Sequence, residues 1–147
     1  MIIDDIEDDS SIRRNKECVH KIYGTDVSIN AGNYMYYAPM MAIYNSQRYT
    51  PEMRNKIIRI YFEEIVQLHV GQGWDILWHN TDRIEGELPT EAQYLQMTAH
   101  KTGVLARLTA RMMCAYVKAP LEHEFVINEF VENLGVAFQI QDDLLNL

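Results

Sequence analysis

Along most of this chain, apolar side chains recur three and four positions apart, the spacing that gathers them on one face of a helix. Only seven glycines and four prolines interrupt that pattern, which therefore predicts an all-α architecture. Helices are expected near 1–9, 17–23, 26–46, 51–79, 90–117 and 121–147, with loops at Ser10 to Lys16, Ser46 to Thr50 and Asn80 to Pro89. Thr50-Pro51 and Pro89-Thr90 mark two helix openings, because a threonine hydroxyl caps the free amides of a first turn and proline is tolerated there. The outer ends carry no such marks: Met1-Ile2-Ile3 runs into acid without a cap, and Asn146-Leu147 stops inside an apolar helical pattern with no glycine after it. These ends predict a helix bundle incomplete on both sides, with residues 1–147 the central part of a single domain of a longer protein.

Composition narrows the picture. A length of 147 residues is enough to enclose one hydrophobic core, and a charged fraction of 23% against 48% apolar lacks the signature of disorder. The net charge of −8 repels polyanions, which argues against nucleic-acid binding and against docking on an anionic membrane. No apolar run approaches the roughly eighteen residues of a membrane span, so no integral membrane segment is expected. Cys18 and Cys114 are far apart in the chain and form no C-x-x-C pair. They read as buried small hydrophobes in a reducing compartment, with the cytoplasm the expected location and an organelle left open by the uncapped N-terminus.

Two acidic corners carry the candidate chemistry. In Asp4-Asp5-Ile6-Glu7-Asp8-Asp9, Asp4 and Asp8 are one helical turn apart, as are Asp5 and Asp8, so three carboxylates share a face. Such a cluster is either a solvated patch or a cation site. Near the other end, Gln139, Asp142, Asp143 and Asn146 repeat the spacing among Val136, Phe138, Ile140, Leu144 and Leu145, which predicts a polar pair pointing from a buried wall. Oxygen-only donors suit a hard ion such as Mg²⁺, which takes one or two carboxylates plus phosphate oxygens, so a diphosphate substrate is expected. An EF-hand is excluded, since a loop starting at Asp4 would put Ile6 at its third position and Asp9 where the turn needs glycine. The lone Glu17-Cys-Val-His20 is half of what a di-iron bundle requires.

The runs Asp4-Asp5-x-x-Asp8 through Arg13-Arg14, Gly71-Gln72-Gly73-Trp74-Asp75, Lys101-Thr102-Gly103 and Phe138-Gln139-Ile140-Gln141-Asp142-Asp143 occur in the order and rough spacing of the trans-prenyltransferases. The chain resembles the eukaryotic geranylgeranyl diphosphate synthases of that family, which share its Ile-Tyr-Gly turn, its Ile29 to Tyr36 helix and its Leu68 to Ile76 run. The resemblance spans the whole chain. It implies the isoprenoid-synthase helix bundle and a head-to-tail condensation of isopentenyl diphosphate with a dimethylallyl, geranyl or farnesyl diphosphate. It also implies three Mg²⁺ ions on the allylic diphosphate, held by Asp4, Asp5 and Asp8 on one side and by Asp142, Asp143 and Asn146 on the other.

The same resemblance assigns Arg13 to the allylic diphosphate and Arg14 to isopentenyl diphosphate, roles that suit a planar guanidinium. It assigns Lys101 to the allylic diphosphate, and it makes Lys101, Thr102 and Gln72 the groups that line the carbocation, with Asp75 orienting its neighbours, Gln139 binding substrate, and Gln139 and Asp142 among the catalytic groups. Tyr36, Tyr37 and His69 match the floor that stops chain growth, and helices 26–46 and 51–79 match the contact of a homodimer. Asn15 stands where the family usually has glycine; asparagine tolerates positive φ, so the turn is expected to survive. The family's upstream Gly-Lys-x-x-Arg segment and downstream lysine are absent, so these 147 residues alone are expected to be inactive. Two other readings stand beside this one: a non-catalytic subunit or remnant that modulates a partner, and a terpene cyclase. The cyclase fits less well, because it lacks the arginine pair and carries a different second motif.

Overall fold

The computed structural model describes residues 1–79 and 88–145. Among them the chain is almost entirely helical, as the apolar spacing requires, and it falls into two compact units, Met1–Arg48 and Tyr49–Leu147. Of the expected loop from Asn80 to Pro89, residues 80–87 lie outside the described residues, as do Asn146 and Leu147 of the expected last helix.

In the first unit, α1 (Ile2–Glu7) stops at Asp8, and Asp9 takes a positive φ of 48° that turns the chain out of the helix. The stretch expected to be a loop is instead a small antiparallel hairpin, β1 (Ile12–Arg13) against β2 (Lys16–Glu17). Its two turn residues, Arg14 and Asn15, have φ of 52° and 63°, the left-handed pair of a type I′ turn, whose twist matches that of the paired strands. Asn15 thus adopts the positive φ expected of it. Because β2 takes Lys16 and Glu17, the next helix, α2 (Val19–Tyr23), starts two residues later than the apolar pattern indicates. Gly24, at φ 89°, makes the sharp corner into α3 (Thr25–Asn45), which runs through Pro39. Cys18 and Met40 are buried in this unit, and a Cβ on Gly32 would lie 2.7 Å from Ile3 Cδ1, so α1 lies against α3 at closest range there.

The second unit opens on α4 (Pro51–His79), with Pro51 in its first turn and the Met53 amide donating to Thr50 Oγ1 at 3.3 Å. Thr90 and Gln93 form a full capping box at the start of α5 (Glu91–Thr98), with Pro89 outside the helix. The expected helix over 90–117 is continuous but not uniform: Ala99–Gly103 is wound as a π segment between α5 and α6 (Val104–Val117). Pro120 then leads into α7 (Leu121–Leu145). Ile57, Ile60, Tyr61, Met97, Val104, Cys114 and Ala115 form the buried apolar core. Within it Glu64, 3% exposed, receives both Arg107 and Arg111, at 2.8 and 2.5 Å, while Arg107 also pairs with Glu132 and Arg111 with Glu63. Burial alone would lower the pKa of both arginines; the carboxylates outweigh it and raise them.

The π segment is gripped from two sides. A Cβ on Gly71 of α4 would sit 2.5 Å from the Lys101 backbone nitrogen, and one on Gly135 of α7 would sit 2.6 Å from Gly103 Cα. Backbone meets backbone at both places, so no side chain can yield. We therefore expect Gly71→Ala and Gly135→Ala each to destabilise by about 1–3 kcal/mol. Gly73→Ala, where a Cβ meets nothing within 4 Å, should be neutral or stabilise by up to about 1 kcal/mol. Thermal unfolding followed by circular dichroism separates the cases; equal midpoints for all three variants would mean the helices are not held at that distance.

Candidate functional site

The two acidic corners fall in different units, and each is described in its own unit. In the first, the opening turn of α1 carries Asp4 and Asp5, and Asp5 is only 4% exposed. A buried carboxylate needs a partner, and the hairpin supplies it: β1 follows the turn out of α1 at Asp9, and Arg13 Nε donates to Asp5 Oδ1 at 2.7 Å. Arg13 Nη2 lies 2.5 Å from the same oxygen and 3.3 Å from Asp4 Oδ2. The bond to Asp5 holds the Arg13 pKa above its ordinary value. Arg14 is exposed, with Nη2 4.0 Å from Met1 Sδ.

Asp8, exposed at the end of α1, donates its backbone amide to the Asp4 carbonyl at 2.9 Å and so stays in helical register with Asp4. Asp9 does not. Its positive φ directs it to Lys21, 2.6 Å away, and that hydrogen bond lowers its pKa. Beside this corner, burial and then Asp5 push the Cys18 thiol up, which keeps it protonated and unreactive; both cysteines are free and buried, as expected. Tyr36 is half-buried; burial, then the Glu7 and Asp4 carboxylates, raise its pKa, which places it near α1. Tyr37 is exposed.

In the second unit the π segment is the organising element. It presents Lys101 and Thr102 between α4 and α7: Lys101 Nζ donates to Asp75 Oδ2, and Thr102 Oγ1 donates to Gln139 Oε1 at 2.6 Å. Gln139 Nε2 donates onward to Asp143 Oδ1 at 2.8 Å, and the Tyr94 hydroxyl donates to Asp143 Oδ2 at 2.5 Å. Burial and the Asp143 carboxylate raise the Tyr94 pKa, so the phenol keeps its proton. Gln72 is half-buried on α4, one turn before Asp75. Trp74 stacks on Trp78 with centroids 6.2 Å apart and packs against His100 at 5.9 Å. His69 is exposed and bonds through Nδ1 to the Ile65 carbonyl at 2.8 Å.

Of the expected buried wall around Asp142 and Asp143, Val136 and Ile140 are half-buried, but the fold leaves the other three side chains in solvent. Helix α7 turns Glu132, Gly135, Gln139 and Asp143 inward, at successive steps of three and four residues, and Phe138, Leu144 and Leu145 outward, exposed by 67, 60 and 75%. Asp142 is exposed beside Asp143, and Asn146 lies outside the described residues. Asp75, Lys101, Thr102, Gln139 and Asp143 are thus brought into one connected group. Tyr94 joins them without belonging to any of the motifs legible in the sequence; its one signal is its place seven residues, two helical turns, before Lys101.

As donors, the carboxylates of both corners fit a hard divalent ion that completes its shell with water and phosphate oxygens. Among the described residues no three or more Asp, Glu, His or Cys side chains are gathered to hold such an ion with protein atoms alone. Each unit offers a cation suited to a phosphate, the Arg13 guanidinium in the first and the Lys101 ammonium in the second, where Thr102 and Gln139 also offer dipoles.

Comparison with known proteins is consistent along the whole chain. The family profile described as polyprenyl synthetase matches residues 1–147. The chain is 39% identical to a geranylgeranyl pyrophosphate synthase of Eremothecium gossypii and 38% identical to geranylgeranyl pyrophosphate synthase 1 of Zymoseptoria tritici, in each case over 100% of this chain. It covers 45% and 41% of those proteins, so it spans less than half the length of these curated relatives. The crystal structure of a geranylgeranyl pyrophosphate synthetase from Pyrococcus horikoshii superposes with a TM-score of 0.87 at 27% identity, over 99% of this chain and 43% of that one. With the profile matching from the first residue to the last, the chain belongs to the polyprenyl synthetase family.

Proposed function

We propose that the full-length protein carrying this chain is a prenyltransferase that condenses isopentenyl diphosphate head to tail with an allylic diphosphate and releases geranylgeranyl diphosphate. The observation that carries the reading is the convergence of Lys101, Thr102, Asp75 and Gln139 at one π turn. The names of the relatives support the product.

In this reaction the allylic carbon–oxygen bond breaks and its electron pair leaves with diphosphate. The π electrons of isopentenyl diphosphate then form the new carbon–carbon bond, and loss of a proton restores a double bond. Mg²⁺, held by Asp4, Asp5, Asp8 and Asp142 with Asp143 and Asn146 in support, would act as Lewis acid on the leaving diphosphate. Arg13 and Lys101 bind the allylic diphosphate and Arg14 the isopentenyl diphosphate, all by charge-assisted hydrogen bonds. Asp75, bonded to Lys101, sets the direction of the ammonium. Thr102 and Gln139, with Gln72, present fixed dipoles to the cation, worth most where water is excluded. Tyr36, Tyr37 and His69 close the far end of the chain pocket. The exposed aromatic and methionine side chains of α3, among them Tyr34, Met35 and Met41, support a homodimer through that helix.

Three outcomes test this reading in the full-length protein. Replacing Asp4, Asp5, Asp8 or Asp142 by Ala should lower kcat by roughly 10²–10³, measured with labelled isopentenyl diphosphate across a Mg²⁺ titration. Glu7→Ala and Asp9→Ala should change it only slightly, since Asp9 is turned toward Lys21; equal, mild effects at all six positions would reduce the acidic run to a solvated face. Ala at Tyr36, Tyr37 and His69 together should lengthen the products seen by chromatography, and unchanged lengths would place the floor elsewhere. Sedimentation at micromolar concentration should give a dimer; a well-folded monomer would remove the assembly from the proposal.

A further inference from the structure

Within the second unit, one chain of hydrogen bonds has a direction. Asp143 is an acceptor only, and both of its oxygens are engaged: Oδ2 by the Tyr94 hydroxyl at 2.5 Å and Oδ1 by Gln139 Nε2 at 2.8 Å. A glutamine amide facing a carboxylate must turn its NH₂ toward it, because the flipped amide would set oxygen against oxygen. The Gln139 carbonyl is therefore committed to the other side, where the Thr102 hydroxyl donates to it at 2.6 Å. That in turn spends the single hydroxyl proton of Thr102 on Gln139 and aims the lone pairs of its oxygen elsewhere, the orientation a neighbouring cation requires. The chain joins α5, the π segment and α7, three elements that meet in this unit, and Tyr94 stands at its outer end.

We propose that Tyr94 is a positioning residue of this site: by holding Asp143 it fixes the amide of Gln139 and hence the hydroxyl of Thr102, so that Asp143 works as an orienting acceptor and leaves metal ligation to Asp142. The inference rests on the prenyltransferase reading, and it defines the supporting part that Asp143 plays there as the orientation of Gln139. Asp143 is turned inward to two donors from the protein itself, and Asp142, the residue before it in α7, is exposed. A ring without its hydroxyl would keep the packing of α5 while releasing one oxygen of Asp143, which makes Tyr94→Phe the informative substitution.

In the full-length protein, Tyr94→Phe should lower kcat about 10- to 100-fold, the effect of losing one hydrogen bond to a charged group, with both KM values within about twofold of the parent. Mn²⁺ affinity in the presence of inorganic pyrophosphate, read by electron paramagnetic resonance, should also stay within about twofold in Tyr94→Phe and in Asp143→Asn, but fall by about tenfold or more in Asp142→Asn. The double variant Tyr94→Phe/Asp143→Asn should be no slower than the slower single one, because both act on one chain. Independently of turnover, the side-chain amide protons of Gln139 should exchange slowly with solvent by NMR and lose that protection in Tyr94→Phe. An unchanged kcat, multiplying effects in the double variant, unaltered Gln139 exchange, or equal loss of Mn²⁺ at positions 142 and 143 would each overturn the proposal. A parent protein that turns over no substrate would instead strike at the prenyltransferase reading, and the Gln139 and Mn²⁺ measurements would still decide the role of Tyr94.

Discussion

Backbone meeting backbone at the π segment is the constraint on which the second unit depends. Gly71 on α4 and Gly135 on α7 let both helices approach Ala99–Gly103 to distances that any side chain would forbid. A π turn widens the helix by one residue and rotates the residues after it, and it is seldom kept without a use. Within this segment Lys101 meets Asp75 of α4 and Thr102 meets Gln139 of α7, two partners on different helices. Close approach and polar pairing thus reinforce each other: the glycines bring the helices in, and the hydrogen bonds fix how the π segment is wound between them.

Buried charge imposes a second discipline. A carboxylate taken out of water costs several kcal/mol unless it is met by donors, and the two buried ones among the described residues, Asp5 and Glu64, are met by arginine. Glu64 gathers Arg107 and Arg111 from α6, which are one helical turn apart and so reach the same residue. Glu63 and Glu132 take the remaining arms, and the group ties α4, α6 and α7 together in a fixed register. Asp5 gathers Arg13 from the hairpin in the same manner, so the acidic motif and its arginine hold one another in place within the first unit. No helix among the described residues is long and apolar enough to cross a membrane, so the apolar faces that remain exposed on α3 and α7 are not membrane spans.

The helices were legible in the sequence because their apolar residues recur with the helical period and their starts are chemically marked. Thr50, Thr90 and Gln93 cap as their types require, and α4 runs over the expected residues. Asp4, Asp5, Asp8, Lys101, Thr102, Gln139 and Asp142 could be singled out because their spacing or their motif is a property of the chain alone. The hairpin at Ile12 to Glu17 was hidden: two-residue strands have no periodicity to read, and its turn is built from Arg14 and Asn15 rather than glycine. The orientation of α7 was hidden too, since its apolar residues lie on more than one face and only packing shows that Gln139 and Asp143 turn inward.

The information written along the chain is therefore local: which segments are helical, where they are capped, and which residues carry charge or donors at one-turn spacing. Tertiary structure alone decided which of those groups meet. The π winding at Ala99–Gly103 depends on glycines 71 and 135, distant in sequence, and no local propensity records that dependence. Tyr94 gains its role only from Asp143, forty-nine residues away, and Glu64 only from Arg107 and Arg111 across a helix interface. Such pairings rest on distances between separate elements, and those distances are set when the backbones close on one another.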